Sequence, residues 1–407
     1  MKAGWVAVVL FGSCVCLAAP VDRQEAWRLL NQRDFAPLDD SFNTAQRTYE
    51  DNAPRSTDAE RTLSRTFRVF YSADESTGPL YDAWVKAYPR SYAASLARGE
   101  YLTALAWKRR GSDFARSISP AQWEAMDKVA TLAKAELRRS LALTAKPVLT
   151  YEFLIELDMM TSGGNAAALL AEARRLDPEA YYASRAYLTG LRPQWGGSLA
   201  DMRAFVARYR KAGGTGWKVD CLEAQVLDIE ASDQVTPNPA DRLTAMNRAI
   251  DLCPQASRYD ARAYYHHQQK QDALAEKDYR EALRLDSGDQ WARASLGMQL
   301  VDVGNAEEGI ALCRAAAAQQ EPNAFQCLAY AYKFGKGVSK DPADVVRWLE
   351  RSAASGNRSG MNDLAGYYWR GEGVPENKNR AVELWRMSAA KGYVPAREKL
   401  KELGFAE

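Results

Sequence analysis

The sequence predicts an all-α chain built as an array of antiparallel helix pairs, and three observations carry that prediction. One pattern is written twice at a fixed offset: Gly335-Lys-Gly337-Val returns as Gly371-Glu-Gly373-Val, and Ala353-Ala-Ser-Gly356 returns as Ala389-Ala-Lys-Gly392, each 36 residues on. A helix-closing pattern recurs upstream, with Ala249, Ala282 and Ala316 placed 33 and 34 residues apart. Each 36-residue copy reads as helix, Gly-x-Gly-Val turn, helix. Fixed periods of this length mark stacked helical arrays, in which one unit buries its apolar face only against the next.

In chain order, Ala26 to Leu30, Phe35 to Tyr49 and a run from Thr57 to Phe70 have helical patterning. Thr57 with Glu60 reads as a capping box. Gly78-Pro79 separates this group from the next helix. Gly99 is expected to admit a close helix neighbour, and Trp84, Trp107 and Trp195 to pack between helices. Ser119-Pro-Ala-Gln122 joins an N-cap, a helix-start proline and a capping-box glutamine, so a helix begins there and is expected to run to about Thr144. Leu170 to Pro178 closes a helix pair, Asn238-Pro239 is an N-cap pair, and Asp341-Pro342 opens the second helix of the first 36-residue copy. The last helix, Pro395 to Leu403, carries Arg397, Glu398, Lys399, Lys401 and Glu402, which suit a polar cap on the array.

Three resemblances follow from these residues. The two copies within residues 323–404 resemble the Sel1-like repeat, which implies an α/α superhelical solenoid that works by binding. Residues 214–322, with Ala275, Tyr279 and Leu296-Gly297 in the expected places, resemble about three tetratricopeptide repeats, the first degenerate. Trp84 to Ser91, Gly99, Trp107, Arg110-Gly111 and Trp195 to Ser198 look like the bacterial domain of unknown function 4034 over residues 23–213. That last resemblance brings no activity with it.

Composition narrows the function. The 407 residues hold 54 basic and 52 acidic side chains, so no basic field for nucleic acid is present. Histidine occurs only at His266 and His267, which lie about 100° apart on a helix and cannot chelate one ion together. There is no G-x-S-x-G elbow, H-E-x-x-H helix, dinucleotide fingerprint or phosphate loop, and Gly213 to Gly216 reads as a break between helices. No cofactor and no metal are expected. The adjacent acids Asp39 and Asp40 could flank a glycosidic bond, but are more economically read as a cap and a solvated face.

The N-terminus points to export. Met1-Lys2, an apolar run from Gly4 to Leu17, and Ala18-Ala19-Pro20 have the form of a signal peptide over residues 1–18, too short for a membrane span. Phe11-Gly-Ser-Cys14 also resembles a bacterial lipobox, which would leave Cys14 lipidated and the chain membrane-anchored. The expected location is therefore periplasmic or secreted. The four remaining cysteines allow three pairings. Antiparallel helices joined at Gln319 to Pro322 bring Cys313 to Cys327, and a second antiparallel pair brings Cys221 to Cys253.

The expected function is a non-enzymatic scaffold or regulator of the bacterial cell envelope, holding a protein or peptide in a solenoid groove. Asp260, Tyr264, His267, Gln268, Arg293 and Met298 are the candidate lining. The rival is an envelope enzyme acting on cell-wall glycan or peptide through residues 23–213.

Overall fold

The computed structural model describes residues 21–52, 58–111, 118–232 and 235–405. The expected signal peptide, the lipobox Cys14 and the Thr57 cap lie outside them. Among the described residues the regular structure is entirely helical. The chain divides into two compact units, residues 1–222 and 223–407.

The first unit contains α1 (Arg23–Gln32), α2 (Phe35–Asn52), α3 (Ala59–Phe67), α4 (Gly78–Ala87), α5 (Tyr92–Arg110) and α6 (Pro120–Ser140). These are followed by α7 (Val148–Met160), α8 (Ala166–Leu176), α9 (Tyr181–Gly190) and α10 (Leu199–Lys211), and the division falls within α11 (Gly216–Glu230). Helices α5 and α7 are apolar or small on nearly every side and are buried accordingly. Gly99 explains how α6 approaches α5: a Cβ there would stand 2.4 Å from Leu137 Cδ2. Phe42, Phe70 and Trp84 interlock beside α5, with ring centroids 4.7 and 5.5 Å apart.

Two local expectations change. The α-helix of α3 ends at Phe67 and tightens into a 3₁₀ turn over Arg68–Phe70. Helix α6 stops at Ser140 rather than Thr144, because the following turn is tied to Glu50, whose Oε1 accepts from Thr144 Oγ1 and from the Lys146 N–H at 2.9 Å. Glu60 takes a further role on another helix. Its carboxylate is buried and accepts the Tyr181 and Tyr182 N–H groups at 3.0 and 3.1 Å, so it caps α9, which has no N-cap side chain of its own. A buried glutamate at a helix N-terminus satisfies donors that would otherwise be orphaned.

The second unit runs through α12 (Pro239–Leu252), α13 (Ala256–Gln268), α14 (Asp272–Leu285), α15 (Gln290–Val303) and α16 (Ala306–Ala318). It continues with α17 (Pro322–Phe334), α18 (Pro342–Ala354), α19 (Arg358–Arg370), α20 (Lys378–Ala390) and α21 (Val394–Glu402). Helices pair as α13 with α14, α15 with α16, α17 with α18 and α19 with α20, and each pair packs on the next. The second glycine of each Gly-x-Gly-Val turn makes that stacking possible. Gly373 has φ +70°, and a Cβ there would stand 2.3 Å from the Pro342 carbonyl group, at the start of the preceding pair's second helix. Gly337, at φ +68°, meets Ala306 in the same way.

Cys313 on α16 and Cys327 on α17 form a disulfide with Cα atoms 6.2 Å apart, as the antiparallel geometry requires. Cys221 and Cys253 are disulfide-bonded as well. Ala396 and Leu400 of α21 close the last apolar face, while Arg397, Glu398, Lys401 and Glu402 face solvent.

Candidate functional site

The first helices of successive pairs share a pocket. Helix α13 turns Ala263, Tyr265 and His266 into the core, so the register of an α-helix sends Tyr264 and His267 outward. On α15 the one-turn spacing Trp291, Ser295, Met298 brings three partly exposed side chains to the same side. Asn323 and Gln326, in the first turn of α17, complete the lining of a pocket of about 390 Å³.

The floor is rigid. Tyr279 is buried, its ring lies edge-on to Trp291 at 6.0 Å, and burial pushes its phenol up so that it stays neutral. Gln299 is buried and donates to the Asp272 carbonyl. The rim is adaptable: Tyr264 is 50% exposed, and Gln326 donates to Asn357 Oδ1 at 3.2 Å. Aromatic, thioether, hydroxyl and carboxamide groups therefore converge, with His267 the one lining side chain that can carry charge. Such a surface makes apolar contact and pairs with peptide N–H and C=O groups.

Of the six residues expected to line a groove, Tyr264, His267 and Met298 come together here. Asp260 is buried instead, hydrogen-bonded to Asp289, with its carboxyl pushed up to about 7 by burial and then by the Asp289 and Asp286 charges. Gln268 is exposed and outside the lining. Arg293 folds back on the start of α15, donating to Gln290 Oε1 and the Ser287 carbonyl. The two histidines diverge as expected: His266 is buried against Gln271 Oε1 at 2.7 Å, and His267 faces Asp272 at 3.6 Å. Sequence reasoning missed Trp291 and Ser295, although stepping back from Met298 by one and two helical turns reaches both. Asn323 and Gln326 were missed because a pocket that crosses from one repeat class to the next has no single-repeat signature.

The first unit also holds perturbed acids. Glu152 accepts from Arg68 and Arg185 at 2.5 and 2.6 Å, and Glu156 accepts from the Trp107 indole at 2.9 Å. Burial pushes the carboxyl of Glu100 well above the usual range and that of Glu156 up. These groups join α5, α7 and α9, and Glu152 is bound up in ion pairs rather than poised over a bond. Trp84 is fully buried, and Trp107 packs edge-on to Trp195 at 6.0 Å.

A family model for a domain of unknown function, DUF4034, matches residues 22–163, and the Sel1 repeat model matches residues 328–357 and 358–393. Among solved structures, a Sel1 repeat protein from Oxalobacter formigenes is 31% identical over 29% of this chain and 91% of its own, with a TM-score of 0.27. The protective antigen c5321 of uropathogenic Escherichia coli, which displays an SLR fold, is 14% identical over 93% of this chain and 88% of its own, at 0.43. The Cut9–Hcn1 hetero-tetramer of the APC/C gives 12% identity, 94% and 67% coverage, and 0.45. No curated protein matches the chain.

Proposed function

We propose, from the two Sel1 repeats matched within residues 328–393, that this chain is a non-enzymatic scaffold of the bacterial envelope that holds an extended segment of another protein. Repeat folds of this kind are commonly scaffolds for protein–protein interaction. The observation that carries the reading is the pocket shared by α13, α15 and α17, where an aromatic rim and the Asn323 and Gln326 carboxamides lie on a floor fixed by Tyr279 and Gln299. A preformed surface loses little entropy when it orders a flexible ligand. Its side chains supply what an extended backbone needs, namely donors and acceptors flanked by apolar area.

The disulfides support the envelope as the setting. Disulfides persist in oxidising compartments, and two bridges tie this chain. No helix among the described residues is long and apolar enough to cross a membrane.

The test is selection of peptides from a random-sequence library on the whole protein, followed by affinity measurement against Tyr264→Ala and Asn323→Ala. Selected peptides should bind these variants about tenfold or more weakly, the loss of ~1.4 kcal/mol or more expected for a central contact. Undiminished binding to both variants would remove the pocket from the function.

A further inference from the structure

We infer that the first unit carries a second, chemically different site: a cleft along α2 that binds a neutral, hydroxyl-rich ligand of the saccharide class. The cleft measures about 840 Å³ and lies between one face of α2 and the turns at residues 87–92 and 143–145, within the usual range for small-molecule sites.

The sequence of α2 explains its form. Phe35, Leu38, Phe42 and Tyr49 take the core-facing stripe, and Asp39, Asn43, Gln46 and Glu50, spaced by four, three and four residues, fall on the neighbouring stripe. That polar stripe is held still by the scaffold. Asp39 Oδ1 accepts the Trp84 indole N–H at 2.9 Å. Asn43 donates to Ser91 Oγ at 2.9 Å and accepts from the Ala93 N–H at 3.1 Å. Gln46 donates to the Lys146 carbonyl and to Glu50 at 3.0 Å each, and Glu50 is fixed by Thr144 and Lys146.

An ordinary solvated helix face is not fixed in this way, and side chains locked before binding are what a selective site requires. One atom is left over. Gln46 is only 1% exposed, lines the cleft, and its Oε1 has no hydrogen-bond partner. A buried acceptor without a donor is costly, and a ligand that donates there recovers that cost.

Charge and valence name the ligand class. The stripe offers acceptors in Asp39, Asp40, Gln46 Oε1 and Glu50, whereas the rim offers donors in Arg47 and Arg90. A hydroxyl group donates and accepts at once, so neighbouring hydroxyls on one ring can serve both. Three carboxylates against two guanidinium groups disfavour an anionic ligand, and the guanidinium groups disfavour a cationic one.

Trp84 is a built-in reporter, since its indole is bonded to the carboxylate at the edge of the cleft. The experiment titrates the whole protein with chitotetraose and maltotetraose as neutral probes and with a galacturonic acid tetramer as the acidic one, read by tryptophan fluorescence. It is repeated on Ala36→Trp, which fills the cleft from an exposed position, and on Asp40→Ala, with thermal melts to show that both variants are folded. At least one neutral probe should give a saturable change that Ala36→Trp abolishes and Asp40→Ala weakens about tenfold or more, ~1.4 kcal/mol. The inference is overturned if no neutral probe saturates by about 1 mM. It is also overturned if Ala36→Trp leaves the affinity intact, or if the acidic tetramer binds as well as the neutral ones.

Discussion

Replacing Gly373 by alanine tests how the Sel1 repeats stack. Two penalties are expected. At φ +70° an alanine is strained by about 1–2 kcal/mol relative to glycine. Its Cβ would also stand 2.3 Å from the Pro342 carbonyl group, and backbone, unlike a side-chain tip, cannot swing away, so overpacking adds ~1–3 kcal/mol. The sum is about 2–5 kcal/mol. Gly356 is the control: its φ is +84°, and a Cβ there meets only Lys391 Nζ at 3.7 Å, so Gly356→Ala should cost the conformational penalty alone, ~1–2 kcal/mol. Native-state hydrogen exchange of the α18 and α20 amides, with urea unfolding beside it, reads both losses where they arise. Stability in a repeat array is nearly a sum over units and their interfaces, so the α1 to α10 amides should be unchanged. If the two variants agree within about 0.5 kcal/mol, the turn does not pack on the preceding pair as described.

Further outcomes follow from the same physics. Replacing Cys313 and Cys327 by alanine opens a loop with a sequence separation of 14, which should lower the stability of the second unit by ~3 kcal/mol in the chain-entropy model, measured by urea unfolding. Glu60 is buried with its carboxyl pushed up from 4.5 to about 7, by burial first, against the lowering effect of Lys218 and the α9 N–H groups. An acid whose folded pKa is raised contributes stability that declines as pH rises through that window. Glu60→Gln should therefore gain on the native protein by up to about 3 kcal/mol between pH 4.5 and 7, and a pH-independent difference in unfolding free energy would contradict this. A Gly309→Ala variant should destabilise α15 and α16, because its Cβ would stand 2.6 Å from the Gly297 carbonyl oxygen. The loss should appear as a lowered urea midpoint.

Much of the fold was legible because its signals are local. The Ser119 cap, the Asp341-Pro342 helix start and the 36-residue period each follow from a few neighbouring residues, and each is present. The Cys313–Cys327 bridge was legible because two helices and a short turn fix it. The role of Glu60 on α9 was not legible because its partners, Tyr181 and Tyr182, lie more than a hundred positions away, and no helix-start pattern encodes a cap supplied by another helix. Helix α6 was read too long for the same reason, since Glu50 ends it from a distance. At the candidate pocket, outward-facing positions could be read from helical register, and Tyr264, His267 and Met298 lie on exposed or half-buried positions there. Asp260 was named beside them, and its pairing with Asp289 on the next helix pair, which register within one helix does not encode, takes it inside.

The central claim is that an extended protein segment is held along α13, α15 and α17. Photo-crosslinking in living cells tests it most directly, with benzoylphenylalanine placed at Tyr264 or Met298 in the pocket and at Glu281 or Arg284 on α14. Discrete protein adducts should form from the pocket positions, be absent from the α14 positions, and disappear when Asn323 is changed to alanine. Adducts that form equally from both faces, or that persist in the Asn323→Ala protein, would contradict the account.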